Sequence, residues 1–136
     1  MQLTPYLIFD GQCEAAINFY KKVFDGETSY MSRFSEGPME IPDAMKDRIM
    51  HTTLNFKGIS IMASDSMERA TSDADAKGTH VQLSLNFDSK EELTGIFHKL
   101  KEGGEVTMPP EDTFWGDYFG MLTDKFGINW MLSCPK

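Results

Sequence analysis

The chain has 136 residues, 25% of them charged and 40% hydrophobic, which is the composition of an ordinary soluble globule and the length of one domain or of two small copies of one unit. A net charge of -8 sets its surface against nucleic acid and anionic membranes, because the phosphate term would be repulsive. Two cysteines, Cys13 and Cys134, suggest a reducing compartment rather than a disulfide framework, and no apolar run approaches bilayer length.

In chain order, residues 3–9 read as a strand, after an opening MQLTPYLIFD that has neither the basic start nor the apolar run of a signal peptide. The expected location is therefore cytoplasmic. Asp10-Gly11 turns the chain into a helix over about 12–24, where Ala16, Phe19, Tyr20 and Val23 recur at three- and four-residue steps and share one face. Gly26 supplies a left-handed stop, and 27–34 is a second strand. Residues 35–47, SEGPMEIPDAMKD, form a long loop or flap. Residues 48–56 are a third strand, Lys57-Gly58 a tight turn and 59–64 a fourth strand.

The polar stretch 65–78, DSMERATSDADAKG, is a natural linker. The order then starts again. A strand over 79–87 leads to a helix from Ser89, its N-cap, to about 102, with Glu92 in the capping-box position and Gly103-Gly104 ending it. A short strand 105–108 is interrupted by Pro109-Pro110, and strands 118–123 and 128–133 are joined by DKFG.

Two stretches make the repetition explicit: FDGQCEAAINFYKKVFDGE at 9–27 and FDSKEELTGIFHKLKEGGE at 87–105. At an offset of 78, Phe9 meets Phe87, Glu14 meets Glu92, Phe19 meets Phe97 and Gly26 meets Gly104. At an offset of 69, Gly58-Ile59 meets Gly127-Ile128, and Met62 meets Met131. The reading is α+β: two tandem βαβββ modules, 1–64 and 79–136, joined by a linker at 65–78 and forming together one domain with a cupped eight-stranded mixed sheet and helices on the outer face.

Strand parity separates two faces. Leu3, Leu7 and Phe9, like Val81, Leu83, Leu85 and Phe87, should pack under the helices, as should Trp130 with Ile128 and Leu132. The opposite face carries Thr4, Tyr6 and Ile8, then His51, Thr53 and Asn55, then Ser60, Met62 and Ser64, and in the second copy His80, Gln82, Ser84, Asn86 and Met131. That face is too mixed for a dry core and too apolar for a wet surface. It fits a pocket wall, the competing reading being a solvated antiparallel face.

The chain has no Walker or dinucleotide-type glycine loop, which speaks against a conventional methyltransferase, and no nucleophile elbow. Asp73 and Asp75 fall in the linker and read as solvated; Asp124 reads as a turn residue. Cys13 opens a helix whose dipole would lower its pKa, but the plainer reading is a small buried residue. His51 is the candidate catalytic residue, either orienting a polar ligand or acting as a base, against the plainer reading of a half-buried, hydrogen-bonded imidazole. His98 reads as structural. Trp115, in a turn-rich loop, either gates the pocket or packs on a partner subunit.

PYLIFDG with FYKKVF, the strand MHTTLNF, and FWGDYFGMLTDKFGINWML resemble the PhnB-like branch of the vicinal-oxygen-chelate superfamily, the glyoxalase, bleomycin-resistance and dioxygenase relatives. The resemblance covers nearly the whole chain. It implies an internal pocket and a homodimer, with modules paired within a chain or exchanged between chains.

Metal-dependent members of that superfamily hold a divalent ion with His or Glu from the first and last strands of each unit. Here those positions fall near Thr4 or Tyr6, Met62 or Ser64, Gln82 or Ser84, and Met131, a donor set that does not suit a hard or borderline divalent ion. His51 and His80 with Asp65 or Glu105 are the remaining candidates for a different site. The expectation is a metal-independent small-molecule binding protein without a cofactor. Its ligand would be lined by Tyr6, His51, Met62, Gln82, Ser84 and Met131, with Trp115 at the rim. The alternative is a metal-dependent lyase, isomerase or dioxygenase of the same superfamily. The residues leave open whether the protein catalyses a reaction.

Overall fold

The computed structural model describes residues 1–37, 40–66 and 81–135. The linker beyond Ser66, Asp73, Asp75, His80 and the expected strand start at 79 lie outside the described residues. The chain divides into two compact units, Met1–Ala70 and Thr71–Lys136. Among the described residues each has the order strand, helix, strand, strand, strand, so the tandem βαβββ expectation holds.

The first module contains β1 (Tyr6–Phe9), α1 (Cys13–Phe24), β2 (Glu27–Arg33), β3 (Ile49–Phe56) and β4 (Ile59–Asp65). Its sheet runs in the order β1-β4-β3-β2, with β1 parallel to β4 and the other pairs antiparallel. The second module contains β5 (Leu83–Asn86), α2 (Lys90–Leu100), β6 (Glu105–Asp112), β7 (Asp117–Thr123) and β8 (Asn129–Pro135). Its order, β5-β8-β7-β6, repeats the first, with β5 parallel to β8.

Each helix covers one sheet face. On α1 the buried residues are Cys13, Ala16, Ile17, Tyr20, Val23 and Phe24; on α2 they are Leu93, Phe97 and Leu100. Each large side chain buried there contributes roughly 1.5–3 kcal/mol. Burial therefore aligns Ala16 with Leu93, Tyr20 with Phe97 and Val23 with Leu100, an offset of 77 rather than 78. Phe19 is only half-buried, and His98 lies exposed rather than in a structural position.

Three further expectations change. Leu3 and Val81 are 95% and 76% exposed, because β1 and β5 begin only at Tyr6 and Leu83. Asp25, not Gly26, takes the left-handed conformation after α1, at φ 52°. Gly26 instead serves close approach, since a Cβ there would lie 2.8 Å from the Asn55 carbonyl oxygen. Finally, β6 runs through Pro109-Pro110 to Asp112. It is an edge strand, and register shifts between Val106 and Met108 and between Met108 and Glu111 absorb the missing donors.

Residues 34–48 carry two short 3-10 turns, Phe34–Glu36 and Asp43–Met45. Arg33 anchors the base of this flap. Its guanidinium forks onto Glu14 of α1 at 3.2 and 2.6 Å and donates to the Asp47 carbonyl at 2.8 Å. Each module has a buried carboxylate that ties its own elements together. Asp65 accepts the backbone N–H groups of Cys13 and Ile49, both at 2.9 Å. Asp124 accepts from Phe126 N at 2.8 Å, Ile128 N at 3.1 Å and Trp130 Nε1 at 2.8 Å, which makes it the turn residue expected.

Candidate functional site

The face of module 1 opposite α1 is built by register. Tyr6 pairs with Met62, Met62 with Thr53 and Thr53 with Tyr30, a row across β1, β4, β3 and β2. One pleat along, Ile8 pairs with Ser64 and His51 with Ser32. A register shift between Thr28 and Tyr30 turns Tyr30 and Ser32 onto this face.

His51 sits at the centre of this face. Tyr6 Oη lies 3.0 Å from its Nδ1, and Thr53 Oγ1 lies 3.4 Å from its Nε2. The ring centroids of Tyr6 and Tyr30 are 5.6 and 5.9 Å from that of His51, both tilted. Both tyrosines are about half exposed, at 46% and 55%. Ser32, in contrast, is buried, and its Oγ has no hydrogen-bond partner among the described residues. The plainer expectation for His51, a half-buried and hydrogen-bonded imidazole, describes this geometry. The geometry equally presents a phenol–imidazole pair at the surface of the face.

Module 2 repeats the rows with different chemistry. Ser84 pairs with Met131, Met131 with Met121 and Met121 with Met108 across β5, β8, β7 and β6. In the next row Asn86 pairs with Ser133, Ser133 with Phe119 and Phe119 with Glu111. Three thioethers thus stand side by side where module 1 has Met62, Thr53 and Tyr30. Trp115 stacks edge-on against Phe119 at 5.7 Å and against Phe114 at 4.9 Å. The tip that holds it is closed by Thr113, whose Oγ1 donates to the Asp117 carbonyl at 2.9 Å and accepts from Asp117 N at 3.2 Å.

Of the residues singled out in the sequence, the structure brings Tyr6, His51 and Met62 together in module 1, and Ser84 and Met131 together in module 2. Gln82 immediately precedes β5 and shares the parity of Ser84. Trp115 stands over Phe119 at a hairpin tip, half exposed. Tyr30, Ser32, Met108, Met121 and Phe119 were not singled out. Parity counted from Glu27 or Glu105 places Tyr30, Ser32 and Met108 on the wrong face, because a one-residue bulge intervenes in each strand.

Cys13 is fully buried, and burial first, then Asp65 and Glu14, pushes its thiol from an ordinary 9.0 up to about 12. It is therefore the small buried residue, not a helix-activated nucleophile. Among the described residues no group of three His, Cys, Asp or Glu side chains stands close enough to hold a metal ion. At the positions that the resemblance implies for metal ligands, Thr4 or Tyr6, Met62 or Ser64, Gln82 or Ser84, and Met131, the side chains are hydroxyl, phenol, thioether and amide. Such donors do not fit a divalent ion that wants imidazole or carboxylate.

Residues 1–133 match the family described as 3-demethylubiquinone-9 3-methyltransferase. The chain is 40% identical to the solved structure of protein PA1353 from Pseudomonas aeruginosa, with 99% of this chain and 98% of that one covered and a TM-score of 0.87. It is 30% identical to a putative 3-demethylubiquinone-9 3-methyltransferase, PhnB protein, from Bacillus cereus, with 98% and 99% covered and a TM-score of 0.82. A glyoxylase/bleomycin resistance protein/dioxygenase domain from Frankia sp. EAN1pec shares the fold at a TM-score of 0.72 and 14% identity, covering 100% and 93%.

Proposed function

We propose, from a chain that belongs to the 3-demethylubiquinone-9 3-methyltransferase family, the PhnB-like branch of the vicinal-oxygen-chelate superfamily, that the protein binds a small planar organic molecule without a metal ion. The observation that carries this reading is the Tyr6–His51 pair, set among Tyr30, Thr53 and Met62 on a sheet face without a charged side chain in those two rows. Aromatic and thioether surface suits a flat ligand, and the imidazole and hydroxyls orient its polar atoms. Gln82, Ser84, Met131 and Trp115 are the ligand-facing residues proposed for module 2. His51 is the residue we propose for any proton transfer.

The family description names methyl transfer to a demethylubiquinone. A flat oxygenated ring suits the face just described. A methyl donor bound in dinucleotide fashion has no cradle among the described residues, because both sheets are mixed and antiparallel at their centres and no glycine-rich strand–helix turn occurs. We further propose a homodimer working in the cytoplasm. The two free, buried cysteines support a reducing compartment, and no described helix is long and apolar enough to cross a membrane.

The test is a titration of the purified protein with phenols, aryl ketones and aryl amines, read by tyrosine and tryptophan fluorescence with Tyr30→Phe and Trp115→Phe as controls for the two modules, beside elemental analysis and sedimentation. Quenching at a saturable concentration, no stoichiometric metal and a dimer mass are the expected results. A divalent ion at stoichiometry that raises Tm would instead establish the metal-dependent alternative. A complete lack of response across the panel would remove the binding reading.

A further inference from the structure

Ser32 lies in direct register with His51 on the same face, is 4% exposed, and has a buried Oγ without a partner among the described residues. An unpaired buried hydroxyl costs free energy, and a native structure that keeps one gives it a role. Beside it, Tyr6 Oη meets His51 Nδ1 at 3.0 Å. A phenol is a better donor than acceptor, and a neutral imidazole offers a ring lone pair; the arrangement that suits both has Tyr6 donating to Nδ1 and the ring proton on Nε2. That Nε2–H has Thr53 Oγ1 at 3.4 Å, a long contact that a better acceptor displaces.

We infer that the Nε2–H of His51 and the Oγ–H of Ser32 converge on one ligand oxygen, so that the molecule bound on module 1 presents a carbonyl-type acceptor. The inference rests on the binding reading above and narrows its ligand class. Tyr6 is a positioning residue that sets the His51 tautomer. Ser32 reaches the oxygen by rotation about χ1. Tyr6, Tyr30, Ser32, His51, Thr53 and Met62 carry no formal charge with a neutral imidazole, so a ketone or quinone-like oxygen is matched in polarity. A carboxylate or ammonium group would stand there without a counter-charge.

The experiment uses the 136-residue chain labelled with 15N-histidine, which has three histidines to assign. Two probes of one shape serve as ligands: 9-fluorenone, which has the carbonyl, and fluorene, which lacks it. Long-range 1H–15N spectra are expected to show His51 as the Nε2–H tautomer in the wild type and as a mixture in Tyr6→Phe. Fluorenone is expected to move the Nε2–H signal and to bind more tightly than fluorene. Ser32→Ala should weaken fluorenone by about fivefold, leave fluorene unchanged, and leave Tm the same or higher. An Nδ1–H tautomer in the wild type overturns the inference. So does equal affinity for the two probes with no effect of Ser32→Ala, although the binding reading then survives. If neither probe disturbs His51 or Tyr30, both the inference and the binding reading fail on this face.

Discussion

The two modules are one design carried out with two chemistries. Both have a parallel first-to-last strand pair, and both have a bulge at the same point of the second strand, between Thr28 and Tyr30 and between Val106 and Met108. Both end the helix against a backbone carbonyl of the third strand, through Gly26 and Gly104. Yet position by position the exposed rows diverge. Tyr6 is matched by Ser84, Tyr30 by Met108, and, continuing the β3–β4 register by one residue, His51 by Phe119. Backbone features that the fold requires are kept in both copies. Side chains that face away from the helix are free to specialise, and among the described residues of these rows the imidazole is in module 1.

The buried carboxylates break this comparison most strongly, because each module uses its own. Asp124→Ala strands three donors, including the indole of buried Trp130, and should cost about 4 kcal/mol in urea unfolding. Asp65→Ala strands two and should cost about 3 kcal/mol. Equal, small losses for both would mean that neither staple matters to its module.

The two glycines sharpen the comparison. An added Cβ at Gly104 would collide with the Thr123 carbonyl oxygen, and one at Gly26 would lie 2.8 Å from that of Asn55. Gly104→Ala should cost about 3 kcal/mol and Gly26→Ala about 2 kcal/mol, since backbone yields less readily than side chain. Neither glycine has a positive φ, so an unstrained Ala at both positions would refute the close-approach explanation.

Much of this was legible in the sequence. The matching FD…GE stretches marked the tandem units, and alternation put Phe9, Trp130 and Leu132 in the core, all of which are buried. What parity could not carry was any count that crosses a bulge, so Tyr30 and Ser32 stayed invisible although they flank His51. Identity between the helices misled for a related reason. Phe19 and Phe97 match as letters, but α2 starts one residue earlier relative to its strand, and packing pairs Phe97 with Tyr20. Pro109-Pro110 looked like a break because the edge position of β6 is a property of the whole sheet, not of the local sequence.

Cys13 offers a smaller effect, confined to alkaline solution and to module 1, where the position aligned with it in α2 is Lys90. Burial, Asp65 and Glu14 raise its thiol from 9.0 to about 12 in the folded protein. Below pH 9 the thiol is neutral in both states and contributes no slope. Between 9 and about 12 the unfolded chain releases a proton that the folded chain retains, so stability falls as pH rises. The decline should be roughly 1 kcal/mol per pH unit, and Cys13→Ala should flatten it. A wild-type slope identical to that of the variant would show that the thiol ionises freely in the fold.

The least costly change is also the one most specific to the difference between the modules. His51→Phe installs on module 1 the residue type that module 2 carries as Phe119. It removes the partner of Tyr6 Oη, but that tyrosine is 46% exposed and water replaces the lost contact, so stability should change by less than about 1 kcal/mol. The ring still has Tyr30 and Tyr6 to stack against, at the distances now held by the imidazole. Carbonyl ligands should then lose their preference over hydrocarbons of the same shape, while the aromatic surface keeps its affinity for both. A variant that unfolds would show that His51 is needed for the packing of the face. One that keeps the carbonyl preference would move the recognition of oxygen to some other group.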